Sequence, residues 1–419
     1  MKIPALLLAL LAGVGVTAPA AAAAPRDCGA PPGLRHALDQ LTGRHRLAGA
    51  AVEVADPECG RWTYAAGQAD LRTGRPMSAQ DRLRIGSITK TFTAAAVLQL
   101  ADRGRLSLDE SVDHYLPGLV RDNGYDGRRI TVRQLLQHTS GLPDHSDSLA
   151  GADIDWLRHH RFTPRELVKR ALELPPPKGP WHYSTTNYIL AGLVIEKVTG
   201  HSAETEISRR ITKPLKLRDT YWPGNSEHIR GRHSRSYFTT ERDGTTERVD
   251  GTEWNTSAGG VGGALISTPR DVNKFFAALL NGRLLSGPRL AEMRSTVPGD
   301  PDRLGPDGRY GLGLITSPLS CGGQWTGHTG SVRGGHNNLA AVAPDGRQVT
   351  LAINESPTTD ASTTALIAAV DTALCANRAS APGISARVPR TPPEAGWRRT
   401  AGHPEAAPAP AGMPRRSRP

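Results

Sequence analysis

Ser87 and Lys90 stand three residues apart in "RIGSITKTFTAAAVLQLADRGRL", the stretch from Arg84 to Leu106, at the start of an alanine- and leucine-rich helical pattern. Residues at that spacing are neighbours on one helix face. A serine hydroxyl is a poor nucleophile until a base removes its proton, and a lysine serves as that base once burial lowers its pKa. Lys90 is set among Ile88, Phe92, Ala94 and Ala95, in a chain with eight lysines and 43 arginines. Taken alone, a serine before an apolar run is an N-cap that satisfies free backbone N–H groups. We expect Ser87 both to cap this helix and to act as nucleophile.

Two further segments carry related chemistry. "WHYSTTNYILAG" sets Tyr183, Ser184 and Thr185 at a helix start, and "WTGHTGSVRGG" sets His328, Thr329 and Gly330 on a strand followed by glycines. With Ser-x-x-Lys, they stand in the order and approximate spacing of the three active-site motifs of the penicillin-recognising serine enzymes. The chain resembles the branch of that family containing class C β-lactamases and D-alanyl-D-alanine carboxypeptidases. "ITVRQLLQHTSGLPD", from Ile130 to Asp144, and "GGVGGALISTPRDVNKFF", from Gly259 to Phe276, resemble it too, and the likeness runs from about Leu34 to Leu374.

The resemblance implies roles. Ser87 attacks a carbonyl and becomes acylated, while Lys90 and Tyr183 shuttle protons. A tyrosine ordinarily titrates near pH 10, so Tyr183 needs a nearby cation to act as a base. The backbone N–H groups of Ser87 and Ser331 form the oxyanion hole, each donor worth roughly 10²–10³ in rate. Thr185, His328, Thr329 and Gly330 bind substrate, His328 and Thr329 against its carboxylate or amide. Arg333 is a weaker carboxylate candidate, set against a plain surface position.

Two positions depart from the family pattern. The second motif usually ends in asparagine; here Thr185 stands there, so Asn187, a water or an altered substrate preference must make good the missing amide. His328 occupies the place of the class C lysine, as on the carboxypeptidase side, and would tie carboxylate binding to pH near 6.5.

The function implied is a secreted acyl-serine hydrolase, a D-alanyl-D-alanine carboxypeptidase acting on peptidoglycan stem peptides, with β-lactams as further ligands. Its rivals are a β-lactamase, an esterase or D-amino-acid peptidase on the same scaffold, and a non-catalytic binder of cell-wall peptides. No cofactor is implied. The 14 histidines include no H-E-x-x-H pattern, and no serine lies in G-x-S-x-G.

The elements that must position these groups follow from periodicity. Gly33 to Thr42 reads as a short helix, and "GAAVEVADPECGRWTYAAG" as a hairpin turning at Asp56 to Gly60. From Thr91 to about Ile211 the pattern is mainly helical, and strand character returns in "CGGQWTGHTGS" and in a hairpin about Pro344-Asp345-Gly346. A last helix spans Ala361 to Leu374. The predicted fold is α/β (α+β) and β-lactamase/transpeptidase-like. It has one antiparallel sheet built from both chain ends, flanked by helices, with a mainly helical region of about 91–260 inserted.

Residues 1–23, with Lys2, an apolar stretch and alanine-rich A-x-A sites, read as a secretory signal ahead of a domain over 24–377. No later apolar run approaches a membrane span. Four cysteines suit an oxidising destination and fit no zinc spacing; we expect Cys28 with Cys59 and Cys321 with Cys375. Residues 378–419 hold nine prolines and eight arginines against Glu394 and Glu405, so more than half of the net charge of +11 resides in this tail, which is expected to be disordered. That location argues against nucleic-acid binding; a passive solvated tail is expected, with weak contact to anionic cell-wall polymers as the alternative.

Overall fold

The computed structural model describes residues 30–376 apart from 243. The expected leader, Cys28 and the tail lie outside the described residues. The strands are β1 (Gly49–Asp56), β2 (Gly60–Asp70), β3 (Arg75–Pro76), β4 (Leu83–Arg84), β5 (Tyr237–Arg242), β6 (Thr245–Asp250) and β7 (Ile266–Ser267). They continue with β8 (Val297–Pro298), β9 (Arg309–Tyr310), β10 (Ile315–Pro318), β11 (Gln324–Ser331), β12 (Asn337–Val342) and β13 (Gln348–Ile353).

β1 and β2 form the expected hairpin, its turn held by Asp56, whose carboxylate accepts from the N–H groups of Glu58 and Cys59 at 2.9 and 3.0 Å. β1 then pairs with the last strand, Ala50 opposite Ile353 and Val54 opposite Val349. A nine-stranded sheet results, in the order β3-β2-β1-β13-β12-β11-β10-β9-β8, and each of its pairs is antiparallel. The sheet is therefore assembled from both ends of the chain, as its sequence pattern requires.

One detail of register matters for function. β12 covers β11 from Thr326 to Ser331, but β10 covers only Gln324 to Gly327, Ile315 lying opposite Gly327. The other edge of His328–Ser331 is left without a strand partner.

The helices used below are α1 (Leu34–Gly43), α2 (Thr89–Asp102), α3 (Val132–Gln137), α4 (Thr185–Thr199), α5 (Pro269–Leu280), α6 (Pro301–Leu304) and α7 (Asp360–Cys375). α1 and α7 cover one face of the sheet, where Leu38, Leu41, Val370 and Leu374 meet Val52 and Leu351. On the other face α2 is buried all round, as expected of a central helix without a polar side. Its threonines give their hydroxyl hydrogens to main-chain carbonyls, Thr89 to Gly86, Thr91 to Gly313 and Thr93 to Val261. Phe92 of α2 stacks on Phe275 of α5 with ring centroids 3.6 Å apart.

The region between β4 and β7 is helical with one exception. Its end folds into the β5–β6 hairpin, which the helical reading missed because "YFTTERDGTTERVD" alternates charged and hydroxyl residues rather than apolar ones. The Cys321–Cys375 disulfide is present and ties the β10–β11 turn to the end of α7. Cys59 is disulfide-bonded as well; Cys28, its expected partner, is outside the described residues.

Candidate active site

One turn of 3-10 helix, Gly86–Ile88, carries Ser87 between β4 and α2. Ser87 does not cap the helix, contrary to expectation: Ile88 holds the N-cap position and no side chain caps α2. The extra turn displaces the serine from capping reach and directs its hydroxyl to Lys90 Nζ, 3.0 Å away. Gly86 has φ +52°, and a Cβ there would sit 2.6 Å from the Ser331 nitrogen. A Cβ on Gly330 would lie 1.9 Å from the Ile85 carbonyl oxygen. These two glycines let the serine turn and β11 pack backbone to backbone, setting the main chain of Ser87 beside that of Ser331.

Lys90 is fully buried. Its Nζ has three oxygens within hydrogen-bond distance: the Gly262 carbonyl at 2.9 Å, Ser87 Oγ at 3.0 Å and Thr185 Oγ1 at 3.4 Å. Nζ also lies 4.8 Å from the centre of the Tyr183 ring and 5.6 Å from that of Tyr188. Below it, Asp144 accepts from the Thr185 N–H at 2.9 Å. Burial pushes the Asp144 carboxyl up, yet His145, the N–H groups of Ser146 and Thr185, and the Lys90 charge together hold it below the usual carboxylate range. The serine-lysine pair thus sits above a buried carboxylate in an otherwise apolar setting.

Tyr183 and Thr185 flank Ser184, the N-cap of α4, as the second motif requires. Tyr183 is buried between the His138 ring, 4.3 Å away, and the Arg303 guanidinium of α6, 3.7 Å from its ring centre. Lys90 meets Tyr183 through the ring face, and the tyrosine hydroxyl is not hydrogen-bonded to Ser87 or Lys90. Asn187 does not replace the missing amide. Its Oδ1 accepts from Ser140 Oγ at 2.6 Å and its Nδ2 lies 3.2 Å from His138 Nδ1, so it is spent inside the α3–α4 junction.

His328 departs most from its expected role. It is fully buried, and its Nδ1 faces the Thr329 carbonyl, so this nitrogen carries the hydrogen and Nε2 accepts from the Tyr310 hydroxyl at 2.9 Å. Burial pulls its pKa down to about 3. It is therefore a neutral positioning group for Tyr310, neither a cleft-lining cation nor a switch near pH 6.5. Thr329, the next residue, faces the opposite side of the sheet, toward α7. Gly330 contributes its main chain. Arg333 is half-buried and donates to the Leu149 carbonyl at 3.1 Å, with Asp147 and Asp144 the nearest opposite charges. It is tied to the main chain rather than a plain surface position, and those carboxylates compete with any substrate carboxylate for it.

A family model described as Beta-lactamase matches residues 34–373. The chain belongs to the beta-lactamase family. Among solved structures, this beta-lactamase family member is similar to a D-stereospecific amidohydrolase from Streptomyces sp., at 38% identity and TM-score 0.73, covering 82% of this chain and 98% of that one. It is similar also to the D-amino acid amidase of Ochrobactrum anthropi SV3, at 30% identity and TM-score 0.71, covering 81% and 96% of the two chains. Among curated proteins, Esterase EstB of Burkholderia gladioli is 34% identical over 194 residues, 43% of this chain and 49% of that protein. Penicillin-binding protein 4* of Bacillus subtilis (strain 168) is 28% identical over 193 residues, 45% and 40% of the two. These matches span under half the length of either curated relative.

The family assignment and the relatives make this a serine hydrolase of the penicillin-binding and β-lactamase group. Three groups at the site escape motif reading: the Gly262 carbonyl, Asp144 and Arg303. The glycine run 259–263 and the end of "LLQHTSGLPD" hinted at the first two; nothing in the sequence marks Arg303 among 43 arginines. Among the described residues no cluster of three His, Cys, Asp or Glu is arranged to hold a metal, and no helix is long and apolar enough to cross a membrane.

Proposed function

We propose that this protein is an exported acyl-serine hydrolase in which Ser87 cleaves the terminal amide bond of D,D-peptides, with the D-alanyl-D-alanine ends of peptidoglycan stem peptides as the leading substrates. The observation that carries the reading is the Ser87–Lys90 contact at 3.0 Å, set beside the Ser331 main chain at an open strand edge. Lys90 in its amine form takes the Ser87 proton as Oγ attacks the substrate carbonyl. The carbonyl oxygen becomes an oxyanion facing the N–H groups of Ser87 and Ser331. Collapse breaks the C–N bond, Lys90 passes the proton to the leaving amine, and an ester on Ser87 remains. Water, deprotonated by Lys90, then attacks the ester, and the returning proton restores the serine hydroxyl. The likeness to a D-stereospecific amidohydrolase and a D-amino acid amidase supports a D-configured substrate, and that to a penicillin-binding protein supports penicillin as a ligand. Export rests on the leader, and contact of the basic tail with anionic wall polymers accords with it.

A second reading, a D-amino-acid amidase or esterase, is favoured by one observation. Thr185 in place of asparagine, with Asn187 turned inward, leaves no side-chain amide to hold a substrate peptide group. The deciding experiment follows a fluorescent penicillin on the mature protein and on Ser87→Ala by gel and intact mass. Label that forms on serine and persists supports the carboxypeptidase. Label that forms and is lost within seconds marks a β-lactamase, and no label directs the assignment to D-amides and esters.

A further inference from the structure

A short hydrogen-bond relay ends on the main chain of β11, two residues before Ser331. In an antiparallel pair, main-chain groups point alternately toward the partner strand and away from it. The Val332 N–H donates to the His336 carbonyl at 3.0 Å, so residue 332 faces the β12 side of the hairpin. By the register of β11 on β12, Gly330 faces β12 as well, opposite Asn338, while the main-chain groups of Thr329 and Ser331 face the open edge. The Ser331 N–H is thereby turned to where an oxyanion would form. The Thr329 carbonyl lies on the same edge, and no strand donates to it, because β10 reaches only to Gly327.

His328 supplies the donor. A carbonyl oxygen only accepts, so Nδ1 of the ring carries the hydrogen in its bond to the Thr329 carbonyl. A neutral imidazole has one N–H, which leaves Nε2 as an acceptor, and the Tyr310 hydroxyl donates to it at 2.9 Å. Tyr310 is fully buried, and burial pushes its hydroxyl well above the usual tyrosine range, so it remains a donor. The rings of His138, Trp181 and Tyr183 surround the Tyr310 ring, with centroids 4.7, 5.8 and 6.2 Å away, and β9 anchors its main chain opposite Ile315 of β10. The relay therefore starts from a fixed point.

We propose that Tyr310 is a positioning residue of the oxyanion hole: through the His328 ring it fixes the Thr329–Gly330 peptide, and with it the aim of the Ser331 N–H. The need arises at Gly330. A Cβ there would lie 1.9 Å from the Ile85 carbonyl oxygen, so the close packing of the serine turn requires glycine, the residue that least restrains its own backbone. β12 holds one side of this peptide, and the relay holds the other. The inference rests on the acyl-serine reading and deepens it, by naming what aims one of the two oxyanion donors.

Tyr310→Phe in the full chain deletes one oxygen and keeps the ring among its neighbours. With p-nitrophenyl acetate, kcat should fall by about tenfold or more while KM changes little, as loss of a transition-state interaction requires. Affinity for phenylboronic acid, whose tetrahedral adduct on Ser87 sets an oxygen in the hole, should fall by a similar factor. Nitrogen-15 NMR reads the relay directly, whether or not that variant folds well. In the wild type the His328 ring, assigned by its absence from His328→Asn, should carry its hydrogen on Nδ1 alone. A ring protonated on Nε2 or on both nitrogens overturns the proposal. So does a Tyr310→Phe protein with a lowered urea midpoint but the parent's kcat and boronate affinity. Ser87→Ala separates the two levels: if it hydrolyses the ester as the parent does, the acyl-serine reading falls and takes the oxyanion role with it. If hydrolysis needs Ser87 while Tyr310→Phe matches the parent, the relay alone falls.

Discussion

Lys90 owes its position to three oxygens from three separate segments, so small changes around it are informative. Replacing it with methionine keeps the volume and removes the proton carrier; we expect kcat to fall by about 10²–10⁴, the usual yield of positioned acid-base catalysis, with substrate KM little changed. Thr185→Val removes one of the three acceptors while keeping the shape, and should lower kcat/KM about tenfold, matching loss of one hydrogen bond to a charged group. The difference between these variants, measured on one ester substrate, shows whether Thr185 positions the lysine or contacts the substrate. At this scale the pairing of Ser87 with Lys90 was legible because its spacing recurs in a known pattern, whereas Tyr183 meets Lys90 by its ring face and not by its hydroxyl. His328 was legible as a motif member but not in its charge state, because neutrality follows from Tyr310 and the Thr329 carbonyl, neither of which a motif reveals. Arg303 was illegible for a related reason: α6 reaches Tyr183 through tertiary folding alone.

The elements around the site are pinned by contacts that can be removed singly. The Phe92–Phe275 stack joins the serine-bearing helix α2 to α5, and Phe92→Ala should destabilise the fold by about 3–5 kcal/mol, seen as a shifted urea midpoint. Reducing Cys321–Cys375 frees the end of α7 from the β10–β11 turn, and loss of the bridge in Cys321→Ser should cost about 2–4 kcal/mol. Periodicity located α1, α7 and the hairpins at both ends of the sheet to within a residue or two. It failed where polarity hides regularity. The β5–β6 hairpin has few apolar residues to alternate, and the 3-10 turn that carries Ser87 is too short to show a period.

Across the whole molecule, buried histidines set the response to acid. His138, His328 and His336 are fully buried, and burial, reinforced by Lys90 and Arg303 at the first two and by Arg84 at the third, holds each in the neutral form well below its ordinary range. In the unfolded chain they titrate near pH 6.5. The unfolded state therefore binds more protons below that pH. The stability these groups contribute is complete above about 6.5 and is lost as pH falls below it, at up to about 1.4 kcal/mol per pH unit for each histidine. Urea midpoints should drop steeply between pH 7 and 5; a flat profile would mean that these rings are charged in the native state. That one sheet draws on both ends of the chain, by contrast, was readable from the sequence alone, since strand patterns stand at the two ends with helical ones between them. That the first strand pairs with the last has a temporal consequence. Ser87 emerges early in synthesis, but the backbone that completes its setting, at Gly330 and Ser331, comes near the end, after every helix of the insert. A nascent or truncated chain holds the serine and the lysine without the machine. Reactivity is thereby deferred until the protein is whole.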